Sequence, residues 1–286
     1  MPRSAIQFSL EIFPPYAQPA KEKRYWKAID TFCQLKPAYI SITSGAFGSG
    51  RGDELTLATS MEILTKGATP AVHITCLGKT EADAYRLIQD YKQQGIKRVI
   101  ALRGDIPTAP RVRACIGPDS LSHAYQLVNL LVQIGGFHIS VAAYPEKHPE
   151  ASSAKQDLVH LKEKLAAGAH CAITQFFFDP ETFLRFRDKA VHIGINKPII
   201  PGILPIFNFE KAISFAKKCN VEVPDYLYRM YQNVERGSLD DKLLAMNILS
   251  HQITRLISEG VDKFHLYTLN EMVINSHIAR WLQEAF

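Results

Sequence analysis

Short apolar runs ending in polar or glycine-proline residues, each followed by an amphipathic stretch, recur eight times along the chain. The runs predict strands near residues 6–13, 38–43, 70–76, 98–103, 138–144, 170–177, 198–203 and 263–269. They are continuous rather than alternating, as for strands buried on both faces. Eight strand-helix units predict an α/β fold, a (β/α)8 TIM barrel, forming one domain over residues 1–286. In such barrels the C-terminal strand ends gather at one mouth and build the active site. Between Ser153 and Ala167 the pattern predicts a helix with a capping box of Ser153 and Gln156, stopped by Gly168. Leu158, Leu161 and Leu165 make its apolar stripe. Asp157, His160 and Lys164 make a polar one, which spacing alone assigns to a solvated face. Two insertions exceed a minimal barrel: a proline-rich loop over residues 106–119, with Arg111 and Arg113, and extra helices between strands 7 and 8, near 208–219, 224–234 and 240–258.

Composition narrows the class. The 286 residues are 47% hydrophobic and 21% charged, which suits a folded core. The net charge of +5 comes without a block of like charges or a nucleic-acid motif, so no nucleic-acid partner is expected. Five scattered cysteines without C-x-x-C spacing point to a reducing compartment, and with no leader expected before the first strand, to a cytoplasmic protein. The most apolar long stretch, residues 127–144, is interrupted by Asn129, Gln133, Gly135, Gly136 and His138 and predicts no membrane span.

Several strand ends carry chemistry. Glu11 lies on an apolar strand, where desolvation raises a carboxyl pKa toward that of a general acid; an ion-paired structural glutamate is the alternative. Arg103-Gly104-Asp105 closes the fourth strand, offering a cation, a close backbone approach and a carboxylate, or alternatively a surface Arg-Asp pair. Residues 45–52 are glycine-rich but lack the spacing of a phosphate loop. His73 reads as a core histidine, and no histidine pair has metal-ligand spacing, so no metal is expected. Gln175 presents an amide able to read a heterocycle edge or to cap backbone.

The strings Phe8-Ser-Leu-Glu-Ile-Phe-Pro-Pro15, Ala101-Leu-Arg-Gly-Asp105, Val141-Ala-Ala-Tyr-Pro-Glu-Lys-His-Pro-Glu-Ala151, Ala172-Ile-Thr-Gln-Phe-Phe-Phe-Asp179, Pro201-Gly-Ile-Leu-Pro205 and Phe264-His-Leu-Tyr-Thr-Leu-Asn270, taken in order, resemble methylenetetrahydrofolate reductase of the bacterial, catalytic-domain-only type. The resemblance implies a flavin-binding barrel that passes hydride from NADH or NADPH to FAD and then to 5,10-methylenetetrahydrofolate, giving 5-methyltetrahydrofolate, in either physiological direction. It implies that Glu11 is the general acid, that Asp105 tunes hydride transfer, and that Gln175 contacts pterin and nicotinamide in turn. It places Thr43, Ala46, His73, Arg103, Gly104, Asp105, Ala124, Tyr144, His148, Ala151, Asp157, His160 and Lys164 at FAD. The Asp157/His160/Lys164 stripe then faces the dinucleotide. Phe215, Lys211 and Glu271 fall to the folate, beside Glu11, Asp105 and Gln175. A homo-oligomer is a further family expectation. Ser44, Lys211 and Glu271 stand where the family usually has Tyr, Gln and Arg. Loss of the tyrosine ring bears on FAD retention, and Glu271 reverses a charge near the folate tail. A flavin-independent folate reductase and a non-catalytic folate-binding paralogue are the competing readings.

Overall fold

The computed structural model describes residues 5–15, 19–43, 50–106, 117 and 119–285, with no side-chain placement for residues 19, 20 and 50–53. Ser44, Ala46 and most of both glycine- and proline-rich loops, including Arg111 and Arg113, lie outside the described residues.

Eight parallel strands close in sequence order: β1 Gln7–Ile12, β2 Ile40–Ile42, β3 Pro70–Thr75, β4 Arg98–Leu102, β5 His138–Ala143, β6 Cys171–Phe176, β7 Ile199–Ile203 and β8 Lys263–Tyr267. Ten helices are present among the described residues: α1 Pro19–Gln34, α2 Gly50–Thr65, α3 Glu81–Gln93, α4 Ala124–Ile134, α5 Ala154–Ala166, α6 Pro180–His192, α7 Phe209–Cys219, α8 Asp225–Tyr231, α9 Leu239–Ser258 and α10 Met272–Ala285. The expected barrel is thus the observed one, and α7, α8 and α9 are the helices between strands 7 and 8. The capping box expected for α5 is half formed. Ser153 Oγ accepts from Gln156 N at 3.1 Å, but the Gln156 amide lies beside His160 instead of returning to the cap.

The strands are buried on both faces, yet the faces differ. Phe8, Leu10 and Ile12 of β1 join the core under the helices. The alternate positions Ser9 and Glu11 point into the barrel, as the period of two requires. The interior collects Ser41, His73, Ser140 and His265 beside a small apolar cluster of Tyr39, Ala71, Ile100, Cys171, Ile173 and Ile200.

Strand β6 slips against β7, pairing Ile173 with Ile200 and then Phe176 with Gly202. The slip frees two groups of Thr174. Its Oγ1 accepts from Gly202 N at 2.9 Å, and its carbonyl accepts from Tyr267 Oη at 2.8 Å. Tyr267 reaches that carbonyl across β7 because Gly202 has no side chain. A Cβ there would meet Thr174 O at 2.2 Å and Tyr267 Cε2 at 2.5 Å.

The excursion after β7 builds a second core. Phe176, Phe178, Leu204 and Ile206 pack against Ala212 and Ala216 of α7 and Leu227 and Tyr231 of α8. This core brings α7 over the strand ends of β6 and β8, where Phe215 stacks on Phe176 with ring centroids 5.3 Å apart.

Candidate active site

Glu11 is 5% exposed at the mouth end of β1. Two imidazoles approach the same carboxyl oxygen: His73 Nε2 lies 3.4 Å and His265 Nε2 3.5 Å from Oε2. No Lys or Arg among the described residues pairs with this carboxyl, and its titratable neighbours are the two imidazoles. Burial pulls the His73 pKa down, with Glu11 opposing and His265 adding to the shift, so this ring is neutral near pH 7.

The backbone around Glu11 is clamped by the end of β8. Thr268 Oγ1 donates to Glu11 O at 2.5 Å. The Asn270 amide then accepts from Phe13 N at 2.9 Å and donates to Phe13 O at 2.6 Å, continuing the ladder with a side chain. Leu269 and Asn270 turn through positive φ values of 45° and 59° to bring that amide into place.

A second group of side chains gathers beyond β4 and β5. Gly104 has φ +90°, and a Cβ there would press on Thr75 at 3.1 Å. Arg103 does not pair with Asp105: its Nη1 lies 2.6 Å from Glu150 Oε2, which holds the Glu150 carboxyl pKa low. Asp105 is exposed. Burial first, then the Asp105 and Asp157 carboxylates, push the Tyr144 phenol up to about 12. His148 packs edge-on to Tyr144 at 4.6 Å, and burial lowers its pKa.

The polar stripe of α5 divides. Asp157 Oδ2 accepts from His148 N at 2.8 Å, and Lys164 Nζ donates to Ala142 O at 2.6 Å, so both turn toward the end of β5. Burial brings the Lys164 ammonium down to about 8, with Asp157 opposing and Arg103 reinforcing the shift. His160 is exposed and pairs with Glu163 on its own helix, so the solvated-face reading holds for it alone. Thr43, Ala124 and Ala151 are half-buried at the ends of β2, the start of α4 and the loop before α5.

Gln175 lines a small cleft with Tyr144, Phe176, Cys219 and Val221. Its Oε1 accepts from Phe176 N at 3.0 Å, the backbone-capping arrangement. Lys211 is exposed on the first turn of α7. Glu271 ties into its own helix start: its Oε2 accepts from Ile274 N at 3.1 Å in the first turn of α10. A carboxylate suits that position, since it satisfies a free N–H and faces the positive end of the helix dipole.

Sequence reasoning passed over Ser9, Glu150, His265, Thr268 and Asn270. Ser9 and His265 carried a usable signal, a polar residue among apolar ones inside a strand, two positions from Glu11 and from Tyr267. Glu150 carried none. Among the described residues no three His, Cys, Asp or Glu side chains form a metal-ligand group, and no helix is long and apolar enough to cross a membrane.

Comparison with known proteins gives a consistent result. The profile described as "Methylenetetrahydrofolate reductase" matches residues 2–283. A 5,10-methylenetetrahydrofolate reductase of Escherichia coli K12 is 41% identical over 277 residues, covering 97% of this chain and 90% of that protein. The corresponding protein of Pectobacterium carotovorum is 40% identical with the same coverage. The Arabidopsis thaliana protein "Methylenetetrahydrofolate reductase (NADH) 1" is 31% identical over 92% of this chain but only 46% of its own length. Among solved structures, a Clostridium thermocellum protein described as binding two copies of 5-methyl-5,6,7,8-tetrahydrofolic acid superimposes with a TM-score of 0.65 at 15% identity, over 99% of this chain and 97% of that one. That likeness is one of fold.

Proposed function

The chain belongs to the methylenetetrahydrofolate reductase family, and on that premise we propose that it reduces 5,10-methylenetetrahydrofolate to 5-methyltetrahydrofolate with NADH or NADPH, in ping-pong fashion and with FAD bound. The observation that carries this reading is Glu11, a buried carboxyl at the barrel mouth with imidazoles beside one oxygen and no Lys or Arg partner among the described residues. Such a group can deliver a proton to the folate nitrogen whose release opens the five-membered ring, and can take it back in the reverse direction.

The residues present suit FAD. Arg103 and Lys164 supply cations for a diphosphate, and the positive φ of Gly104 sets the turn that follows Arg103. Thr43, Tyr144, His148, Ala151 and Asp157 would border it. FAD, when bound, supplies the two-electron carrier between the nicotinamide and the folate. Gln175 and Phe215 flank the position shared by the two substrates, and Gln175 is free to exchange its internal bond to Phe176 N for one to a pterin or nicotinamide amide edge.

The test is the visible spectrum of the purified protein under anaerobic conditions. An oxidised flavin that bleaches with NADH and recovers with methylenetetrahydrofolate supports the reading, and a protein that takes up no FAD overturns it. In Glu11→Gln, bleaching by NADH should persist and recovery with folate should fail.

A further inference from the structure

We propose that His265, set by Ser9, is the positioning residue of the acid: its ring holds Glu11 Oε2 from inside the barrel and reserves Oε1 for the substrate. The proposal rests on the reading of Glu11 as the acid.

Both ring contacts fall on Oε2, and Oε1 receives neither. The Nε2 atoms of His73 and His265 are buried and form no hydrogen bond, with Glu11 Oε2 3.4 and 3.5 Å away, an arrangement that is costly unless a small closure lets them serve the carboxyl. The two rings differ in what stands behind them. His265 is 0% exposed, and its Nδ1 lies 2.7 Å from Ser9 Oγ. Ser9 Oγ also lies 3.3 Å from Phe264 O.

Proton counting links these contacts. A neutral imidazole has one N–H, and Ser9 has one O–H. When Ser9 donates to Nδ1, the ring proton sits on Nε2, the atom 3.5 Å from Glu11 Oε2. The acid proton then resides on Oε1. When Ser9 instead donates to Phe264 O, the ring donates through Nδ1, and its bare Nε2 requires the carboxyl proton on Oε2, away from the substrate. The first arrangement is the productive one. In it, the Oε1–H bond breaks as the N–H bond forms on the folate, the same Nε2–H steadies the carboxylate left behind, and water at the mouth returns the proton.

The other titratable groups facing Glu11 are Tyr39 before β2, His73 on β3, Tyr267 on β8 and Cys219 on α7. Burial raises the tyrosines and the cysteine and lowers His73, so all four are neutral near pH 7.

The experiment compares the two half-reactions of the FAD-loaded enzyme by stopped flow in His265→Phe, His265→Gln and Ser9→Ala. A glutamine amide can place an N–H where Nε2 stands. His265→Phe should slow the folate half-reaction about 10-fold or more relative to flavin reduction and displace its pH profile. His265→Gln should recover most of the rate, and Ser9→Ala should shift the same profile with a smaller loss. Equal slowing of both half-reactions, or an unchanged folate pH profile in Ser9→Ala, overturns the proposal. If His265→Phe does not fold, the other two variants decide. Glu11→Gln separates the two levels: full folate reduction in that variant removes the acid assignment itself, whereas an inactive Glu11→Gln beside an unaffected Ser9→Ala removes only the role of His265.

Discussion

Arg103 is held by Glu150, guanidinium nitrogen to carboxylate oxygen at 2.6 Å, at the strand end proposed for the cofactor diphosphate. An incoming phosphate must therefore displace a carboxylate. Exposed pairs of this kind are worth about 0–1 kcal/mol. Glu150→Gln should tighten FAD binding by up to about 5-fold, measured by titrating the apoprotein with FAD. Because Arg103 holds the Glu150 pKa low, the pair is present above that pKa and lost as the pH falls through it. The advantage of the variant should accordingly vanish in acid.

Lys164 gives a second pH effect of opposite reach. Its ammonium titrates near 8, so its charge is present below that pH and lost above it. An anionic cofactor binds the charged form, and FAD affinity should fall as the pH rises from about 8 toward 10, by at most about tenfold per pH unit. Lys164→Arg, which keeps its charge, should flatten the dependence. Identical profiles for both proteins would remove Lys164 from the cofactor site.

Gly202→Ala should destabilise the barrel. The added methyl would stand 2.2 Å from Thr174 O and 2.5 Å from the Tyr267 ring, and neither the backbone nor the hydrogen-bonded ring can retreat easily. A loss of about 2–3 kcal/mol is expected from overpacking. It should appear as a lower urea midpoint with an unchanged slope.

At Glu271 the expected order of stability is Gln, then Ala, then Arg. Alanine forfeits the bond to Ile274 N, at about 1 kcal/mol. Arginine forfeits it too and sets a cation at a helix N-terminus, at about 0.3–1 kcal/mol more. Thermal unfolding of the three variants measures the order.

The barrel was legible because each strand is a mostly apolar run with a turn signal behind it, and the three helices after β7 were legible from their periodicity. The same apolar runs concealed the interior. Ser9 and His265 looked like minor breaks in β1 and β8, and only closure of the barrel shows that they meet at 2.7 Å. The slip in β6 was hidden for a similar reason, since it depends on Tyr267, over ninety residues further along the chain, crossing at Gly202. Glu271 looked like a charge placed toward a ligand, whereas its carboxylate serves the backbone three residues ahead. Within the α5 stripe, spacing could not distinguish His160, which faces solvent, from Lys164, which turns under the sheet end.

The seam between the first and last strands also orders events during synthesis. Glu11 is made early, but Ser9 waits for His265, Glu11 O waits for Thr268 and Phe13 waits for Asn270, contacts spanning 256 to 257 residues. The segment from Arg103 to Lys164 leaves the ribosome long before β8 does. The acid site forms last, when β8 docks against β1 and ends the slow, long-range step of folding. The two sides of the mouth are thus completed at different times, and a Glu11 clamped by Thr268 marks a finished barrel.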